Sequence, residues 1–570
     1  MSTLFTINPG KGTTPNKERK IFSERVSYRN IDGLNIVGYF DHLIEWQERS
    51  FVIVPPAYGE IKKDYISLSY YLVSNDFNVL RYDNTCHLGE SDGDIIDADL
   101  LRMQGDLLTT VNFIEEKFSR HTVAVAATSL SGRVALRLAV TDPRITFLCI
   151  LVGLINLRDT FKSIYREDIF RECERGKYSD TLDIFGHEVK TVFIKNAIDN
   201  KLDDLNGTLA DVKRIKCPIV LLAAEHDAWI NLREARQLLE AARHPGSELR
   251  VISGALHQLQ ENPRLAKLAI EQVVRSCKEH LGERVELNSV VEPNLHDIVA
   301  QNKMELEQLK RLSRITQSGE KDFWETYLSK FSIALKIPDY KDLLESSEQL
   351  LDCFMGGGQI LDAGCGNGHF GVWLLKRAVE HLMEDKTVTI NLRYVGLDFA
   401  EKAVIEARKR HTEILNQLDK INGYQKCKGS RFEYVIGDLD KKLPFPDGCF
   451  NKICCNLVIS YVRDPVNVMK QFGRVLKRNG RMIVSSLKPY CDLSLIYKDF
   501  AEVTSDQNDL EEAIALLSNT GKIRRKESEG HYHFYNEEEL QELIRKAGLV
   551  TIKLLRSCGN QVNIAFCEKP

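Results

Sequence analysis

Short apolar runs alternate with helical stretches in two separate parts of this chain, and this pattern limits the folds it can adopt. The first series of apolar runs lies at 34–40, 51–54, 78–82, 122–126, 146–152, 218–224 and 249–252. The second lies at 360–363, 394–398, 432–437, 452–456, 481–485, 550–556 and 561–567. Alternating strands and helices predict mostly parallel, doubly wound sheets. Because 570 residues are too many for one hydrophobic core, we predict two α/β domains.

Two stretches lack strand candidates. The segment 156–213 is charged and has helical patterning, which predicts a helical cap over a pocket of the first domain. The second stretch is 283–345, where Leu306, Leu309, Leu312 and Ile315 recur at helical spacing. The predicted organisation is a flexible tail at 1–20, a first domain at 21–282, a helical connector at 283–345 and a second domain at 346–570.

The bulk properties exclude several classes of protein. The net charge of −4 gives no polycationic surface, so we predict no nucleic-acid partner. The N-terminus lacks the apolar core of a signal peptide, and no apolar run is long enough to span a membrane, so we expect a cytoplasmic protein. The fourteen cysteines form no C-x-x-C pair, and the adjacent Cys454 and Cys455 would point to opposite faces of a strand. We therefore predict no metal site.

A candidate serine nucleophile follows the apolar run near residue 126. The sequence HTVAVAATSLSGR at 121–133 predicts a strand, a sharp turn and a helix, the setting of a nucleophile elbow. Ala127 and Ser131 stand where glycines are usual, and both are small. Ser129 would lie at the tip, at a helix N-terminus that favours a developing anion. Ser131 is an alternative nucleophile, and a serine that merely caps a helix is the simplest alternative role for Ser129.

Two later residues can complete a catalytic triad. In hydrolases with this elbow the order along the chain is serine, acid and histidine. Asp227 and His257 each follow an apolar strand, in that order. The backbone N–H of Leu130 is one expected donor to an oxyanion. Since Pro55 and Pro56 have no N–H, the second donor is Ala57 or Tyr58.

The first half of the chain resembles the acyl transferases of bacterial bioluminescence, which are myristoyl-ACP thioesterases of the α/β-hydrolase superfamily. The resemblance covers residues 20–300. It is carried by LRYD at 80–83, HLGES at 87–91, the elbow AATSLSGR, VGLINLRDT at 152–160 and the loops with Asp227 and His257. It implies Ser129, Asp227 and His257 as the triad and an acyl thioester, such as an acyl carrier protein conjugate, as the substrate.

The second domain begins with a glycine-rich turn. The sequence QILDAGCGNGHFG at 359–371 predicts a strand that ends near Asp362, followed by a tight turn. A dinucleotide loop would need glycine where His369 stands. A nucleoside with an amino-acid tail is therefore favoured, and Asp362 can accept from the ammonium of that tail. Asp398 can accept from ribose hydroxyls and Asp438 from an adenine amino group.

These elements resemble class I S-adenosylmethionine-dependent methyltransferases, and the match extends over residues 331–570 and includes RVLKRNG at 474–480. The resemblance implies a Rossmann-like fold with S-adenosylmethionine as its cofactor. The expected cofactor-binding residues are Asp362, Gly364, Cys365, Gly366, Asn367, Gly368, Asp398, Phe399, Asp438, Leu439 and Asn456. His531 and His533 are candidates for a catalytic role, with an ordinary polar loop as the alternative. Proximity of the reactants alone can also suffice.

The sequence thus predicts a bifunctional enzyme. Its first domain would transfer or hydrolyse the acyl group of a thioester, and its second would methylate a small-molecule acceptor, which could be the released acyl product. Two alternatives have a non-catalytic first half: a methyltransferase with an acyl- or carrier-binding module, and a scaffold that docks a carrier protein.

Overall fold

The computed structural model describes residues 19–281, 289–312, 317–354, 357–384, 391–420 and 430–570. Most of the predicted tail therefore lies outside the described residues, as do parts of the predicted connector. The described residues form two compact units, one up to Leu312 together with 520–528, and the other containing the remainder. The exact domain limits stay predictions.

The first unit is built on an eight-stranded sheet. Its strands are β1 (Phe22–Arg29), β2 (Asn35–His42), β3 (Phe51–Val54), β4 (Asn78–Tyr82), β5 (Val123–Thr128), β6 (Ile145–Leu151), β9 (Ile219–Ala224) and β10 (Glu248–Ile252). The spatial order is β1-β2-β4-β3-β5-β6-β9-β10. The pairs from β4 to β10 are parallel, whereas β1 and β2 are antiparallel to their neighbours.

Helices cover both faces of this sheet. They are α1 (Ile66–Ser74), α2 (Leu100–Phe118), α3 (Leu130–Ala139), α4 (Leu157–Tyr165), α5 (Ile169–Glu174), α6 (Val192–Asp199), α7 (Leu205–Val212), α8 (Leu232–Ala241), α9 (Pro263–Leu281) and α10 (Leu295–Leu312). The segment predicted to form a helical cap contains α4 to α7. It also contains a hairpin of β7 (Thr181–Ile184) and β8 (His187–Lys190) that the sequence analysis did not predict.

The core explains why the central strands are continuously apolar. Strand β5 is buried along nearly its whole length because helices pack on both sides of a parallel sheet. Close packing of α3 on this sheet requires a glycine, since a Cβ at Gly132 would lie 2.6 Å from Cγ2 of Ile150. The turn that carries Ser129 is therefore held directly against the sheet.

The second unit contains a seven-stranded sheet of β11 (Gln359–Ala363), β12 (Arg393–Asp398), β13 (Arg431–Ile436), β14 (Phe450–Cys455), β15 (Leu476–Leu487), β16 (Val550–Ser557) and β17 (Val562–Glu568). The spatial order is β13-β12-β11-β14-β15-β17-β16, with β17 antiparallel to its neighbours. The strands are added in one direction from β11 through β12 to β13 and then on the other side of β11, beginning with β14. In open α/β sheets such a switch point opens a crevice at the carboxyl ends of the strands.

The helices of the second unit are α11 (Gln317–Lys330), α12 (Pro338–Leu351), α13 (His369–Glu384), α14 (Glu401–Lys420), α15 (Pro465–Val475), α16 (Ser494–Val503), α17 (Gln507–Ser528) and α18 (Glu537–Lys546), except that the last part of α17, 520–528, belongs to the first unit. Both units thus have the doubly wound α/β architecture that the sequence predicts, and the fold class is confirmed. Within the described part of the chain, no helix has the length and apolar character that crossing a membrane requires.

Candidate active sites

Ser129 occupies a strained turn between β5 and α3. Its backbone has φ 52° and ψ −123°, a conformation that is costly for a residue with a side chain. The turn is held by hydrogen bonds from the Ser129 N–H to the Leu151 carbonyl and from the Leu154 N–H to the Ser129 carbonyl. This is the geometry of a nucleophile elbow, which lifts the serine hydroxyl above the edge of the sheet.

The structure brings Ser129, His257 and Asp227 together. The Nε2 of His257 lies 3.1 Å from the Oγ of Ser129, and its Nδ1 lies 2.9 Å from an Oδ of Asp227. Because a carboxylate only accepts, Nδ1 carries the proton and Nε2 can accept the proton of the serine hydroxyl. The side chains of Asp227 and His257 are only 2% and 10% exposed, which strengthens their interaction.

The environment of the acid holds it in place. The other carboxylate oxygen of Asp227 accepts from the backbone N–H of Trp229 and of Ile230. The indole of Trp229 stacks on the imidazole of His257. His226, next to Asp227 in the sequence, is instead 59% exposed and points to Glu225.

The alternative nucleophile, Ser131, has a different environment. Its side chain is buried, its hydroxyl donates to the Thr128 carbonyl at 2.7 Å, and it accepts from the Thr128 N–H at 3.0 Å. Both bonds brace the elbow from within. This geometry favours Ser129 as the nucleophile and gives Ser131 a structural role.

The loop after β3 distinguishes the two candidates for the second oxyanion donor. The N–H of Ala57 donates to the hydroxyl of Tyr65 at 3.0 Å, and that hydroxyl donates to the carboxylate of Glu60. Burial raises the pKa of Glu60, while the bond from Tyr65 opposes that rise. Within the described residues, no atom accepts a hydrogen bond from the backbone N–H of Tyr58 or of Leu130. Tyr58 is therefore the better candidate of the two.

Aromatic side chains of the predicted cap segment, 156–213, pack against this loop. The ring of Phe185, in the turn of the cap hairpin, is stacked on Trp229 with centroids 4.9 Å apart. The ring of Tyr58 makes edge contacts with Phe185 and Phe193, and its hydroxyl donates to the Ile184 carbonyl. An apolar wall thus extends from the predicted cap segment to His257, the candidate base.

The second site lies at the carboxyl ends of β11 and β12. The carboxyl of Asp362 is buried and accepts from the hydroxyl of Tyr394 at 2.6 Å. The pKa of Asp362 is raised to about 7. Burial is the main cause, the nearby charge of Asp398 adds to the rise, and the hydrogen bond from Tyr394 opposes it. A cation bound here would restore the charged form of Asp362. This environment fits the ammonium of an amino-acid tail.

The glycine loop after Asp362 depends on its glycines. Gly364, Gly366 and Gly368 all have positive φ, at 78°, 47° and 83°. A Cβ at Gly364 would lie 2.4 Å from Val458. The backbone can therefore turn sharply beside the crevice only without side chains at these positions.

The other predicted acids differ in their surroundings. Asp398, the last residue of β12, is buried, and its oxygens accept from the N–H of Gly366 and of Ala400 at 2.8 and 2.9 Å. Each oxygen retains a lone pair that can accept from a ribose hydroxyl. Asp438 follows β13 and is 37% exposed, with Leu439 buried behind it.

The remaining residues predicted to bind the cofactor differ in exposure and in the partners of their side chains. Asn367 donates to the Leu328 carbonyl, Cys365 is buried, and Phe399 is partly exposed beside Asp398. The side chain of Asn456 binds Ser347 and Ser485, so its amide is already paired within the fold. This pairing favours a structural role for Asn456, which the sequence pattern could not distinguish from ligand binding.

Neither candidate histidine shows a catalytic arrangement. His533 is 59% exposed and lies 3.6 Å from Glu539, and His531 lies 3.9 Å from Glu529. The backbone N–H of His533 donates to the Ser460 carbonyl, close to the end of β14. This segment therefore lies beside the crevice, although these two imidazoles face acidic neighbours.

Each half of the chain is similar to known proteins of the class that its sequence predicts. Residues 45–311 match the family model described as acyl transferase, and residues 355–548 match one described as methyltransferase domain. An acyl transferase of Photobacterium leiognathi is 24% identical over 279 residues, covering 47% of this chain and 88% of that protein. One from Aliivibrio fischeri is 27% identical over 256 residues, covering 45% of this chain and 82% of that protein.

Two solved structures are similar to the first half. Est1E from Butyrivibrio proteoclasticus, solved with ferulic acid bound, is 17% identical with a TM-score of 0.39, covering 45% of this chain and 99% of that one. A monoacylglycerol lipase of Paleococcus ferrophilus is 17% identical with a TM-score of 0.36, at 45% and 99% coverage.

The chain therefore joins an acyl transferase domain to a methyltransferase domain, and both resemblances expected from the sequence are confirmed. Both domains are enzymatic, so the two alternatives with a non-catalytic first half are disfavoured. Trp229, Tyr65, Glu60 and Tyr394 were not predicted as parts of these sites. Trp229 and Tyr394 contact His257 and Asp362, which are distant in the sequence, and the bonds among Ala57, Tyr65 and Glu60 depend on side-chain directions that a sequence pattern does not record.

Proposed function

We propose that this protein is a bifunctional enzyme in which Ser129 accepts an acyl group from a thioester and the second domain methylates a small molecule with S-adenosylmethionine. The observation that carries the first activity is the chain of hydrogen-bond distances from Ser129 through His257 to Asp227. The buried, partly neutral Asp362 beside a glycine loop carries the second.

In the first domain, His257 takes the proton of the Ser129 hydroxyl while the Oγ attacks the thioester carbonyl. The N–H groups of Leu130 and Tyr58 are the proposed donors to the resulting oxyanion. Collapse breaks the carbon–sulfur bond, and the thiolate leaves with the proton from His257. Water or another acceptor then attacks the acyl-enzyme carbonyl while His257 takes its proton. Collapse breaks the bond to the Ser129 Oγ, and His257 returns the proton to that oxygen.

The proposed substrate is a fatty acyl thioester, carried by acyl carrier protein. The aromatic wall formed by Tyr58, Phe185 and Trp229 supports an apolar acyl group, because each buried methylene contributes about 0.8 kcal/mol. The acyl transferases that match this half support a transferred acyl group but leave the carrier open.

In the second domain, bound S-adenosylmethionine would supply an activated methyl group. Asp362 is the proposed partner of its ammonium, and Asp398 that of its ribose hydroxyls, with the glycine loop between them. Asp438 is the proposed partner of the adenine amino group. These residues bind and orient the donor so that an acceptor can approach it in line.

The methyl acceptor we propose is the acid released by the first domain. A carboxylate is ionised at neutral pH and needs no base before it accepts a methyl group. Such an acceptor therefore requires neither His531 nor His533 to act as a base. The combined product would be a fatty acid methyl ester.

The product test uses the full-length chain, myristoyl-acyl carrier protein and S-adenosylmethionine with a labelled methyl group. The proposal predicts labelled methyl ester, free acid when the methyl donor is omitted, and neither product from Ser129→Ala. Free acid without methyl ester in the complete mixture would show that the acyl product is not the acceptor. Absence of both products would contradict the choice of thioester.

A further inference from the structure

His411 lies beneath the glycine loop of the second unit and contacts its last residue. The imidazole, carried by α14, is fully buried. Its Nε2 lies 2.8 Å from the carbonyl oxygen of Gly368, and its Nδ1 lies 2.6 Å from the hydroxyl of Tyr434. A carbonyl can only accept, so Nε2 donates to Gly368 and Nδ1 accepts from Tyr434. The ring therefore has one neutral tautomer with both nitrogens paired.

The glycine positions around the ring fit it closely. A Cβ at Gly368 would lie 2.7 Å from Nε2 of His411, and one at Gly371 would lie 2.3 Å from its Cε1. Neither distance is compatible with a side chain. Two glycines thus make room for the imidazole and bring the loop backbone within hydrogen-bonding distance of it.

The same ring is connected to the acid at the start of the loop. Tyr394 meets His411 edge-on with centroids 5.4 Å apart, and its hydroxyl donates to Asp362. His411, which is held by Tyr434, therefore contacts Gly368 directly, and Tyr394, which packs against His411, contacts Asp362. Asp398, at the proposed ribose end, is held instead by backbone N–H groups.

We propose that His411 is a positioning residue that fixes the part of the loop surrounding the amino-acid tail of the methyl donor. The inference rests on the proposed function, since it assumes that S-adenosylmethionine binds with its ammonium at Asp362. Burial lowers the pKa of His411 to about 4, so the ring stays neutral near physiological pH. It would then act as a fixed hydrogen-bond donor that brings no charge of its own to the pocket.

The test compares two ligands on the full-length protein by calorimetric titration. S-adenosylmethionine carries the amino-acid tail, whereas 5′-methylthioadenosine keeps the nucleoside and lacks the tail. His411→Phe retains a ring of similar size and removes both hydrogen bonds, and His411→Gln retains a donor. Tyr434→Phe, at a less buried position, removes only the hydroxyl that fixes the tautomer and serves if His411→Phe does not fold.

We expect His411→Phe to weaken S-adenosylmethionine binding about tenfold or more, to change methylthioadenosine binding less than about threefold, and to be largely rescued in His411→Gln. Tyr434→Phe should show the same selectivity with a smaller loss. Equal losses for both ligands, or no loss in a folded variant, would overturn the inference. If the wild type bound neither ligand, the methyl-donor assignment itself would fail, and the inference with it.

Discussion

The indole of Trp229 stacks on the imidazole of His257, with ring centroids 4.7 Å apart and planes inclined by 23°. The same indole stacks on Phe185 of the cap hairpin on its other side. The proposed catalytic base, His257, is therefore packed against a continuous aromatic stack. An aromatic face also attracts the imidazolium that forms during acylation.

Trp229→Ala should slow acylation of Ser129 by roughly tenfold, which corresponds to about 1.4 kcal/mol of barrier. The reason is that His257 would lose the surface that orients it and stabilises its charged form. Pre-steady-state kinetics with an acyl thioester measures this directly. Trp229→Phe is the matched control and should recover most of the rate. An unchanged rate in a folded Trp229→Ala variant would show that the stack does not assist the base.

Tyr65→Phe tests the loop after β3. The variant leaves the buried N–H of Ala57 without its acceptor and Glu60 without its donor. Loss of a buried hydrogen-bond partner costs about 1–3 kcal/mol, and we expect the free energy of unfolding of the first domain to fall by that amount. Urea denaturation followed by circular dichroism provides the measurement. A variant as stable as the wild type would show that the bond from Ala57 is unimportant in solution.

Asp398→Ala should weaken binding of S-adenosylmethionine by about tenfold or more, because hydrogen bonds to a charged group contribute about 1.5–3 kcal/mol each. The acylation of Ser129 should be unchanged, since each unit has its own sheet and hydrophobic core. Calorimetric titration and the acylation assay are run on the same preparation. Unchanged affinity would remove Asp398 from the binding site.

Binding of S-adenosylmethionine should depend on pH through Asp362. Its pKa, raised to about 7 by burial, leaves the carboxyl largely protonated below that pH in the free protein. Only the ionised form attracts the ammonium, so affinity should rise from about pH 5.5 to about pH 7.5. Asp362→Asn should bind weakly without this rise. Affinity that is flat over the range in the wild type would contradict the proposed partner of the ammonium.

The sequence predicts the central strands of both sheets because buried parallel strands are continuously apolar. It fails for β1, whose sequence FSERVSYR is largely polar and half exposed at the sheet edge. It also fails for the cap hairpin, whose two four-residue strands are too short for a clear alternation. Edge strands and hairpins of this kind depend on tertiary contacts that local patterns do not reveal.

The candidate sites show the same division. Ser129, Asp227 and His257 were predicted because each stands in a recognisable local setting at a strand end. His411 could not be predicted, since its partners Gly368 and Tyr434 come from other segments. The engagement of the Ala57 N–H likewise depends on a tyrosine hydroxyl whose direction no sequence pattern records.

The most direct test of the central claim is the intact mass of the protein after incubation with a fatty acyl thioester. The account predicts a mass increase of one acyl group for the wild type and for Ser131→Ala, and no increase for Ser129→Ala. An adduct that persisted in Ser129→Ala and disappeared in Ser131→Ala would move the nucleophile to Ser131. Any adduct on folded Ser129→Ala would contradict the assignment of Ser129.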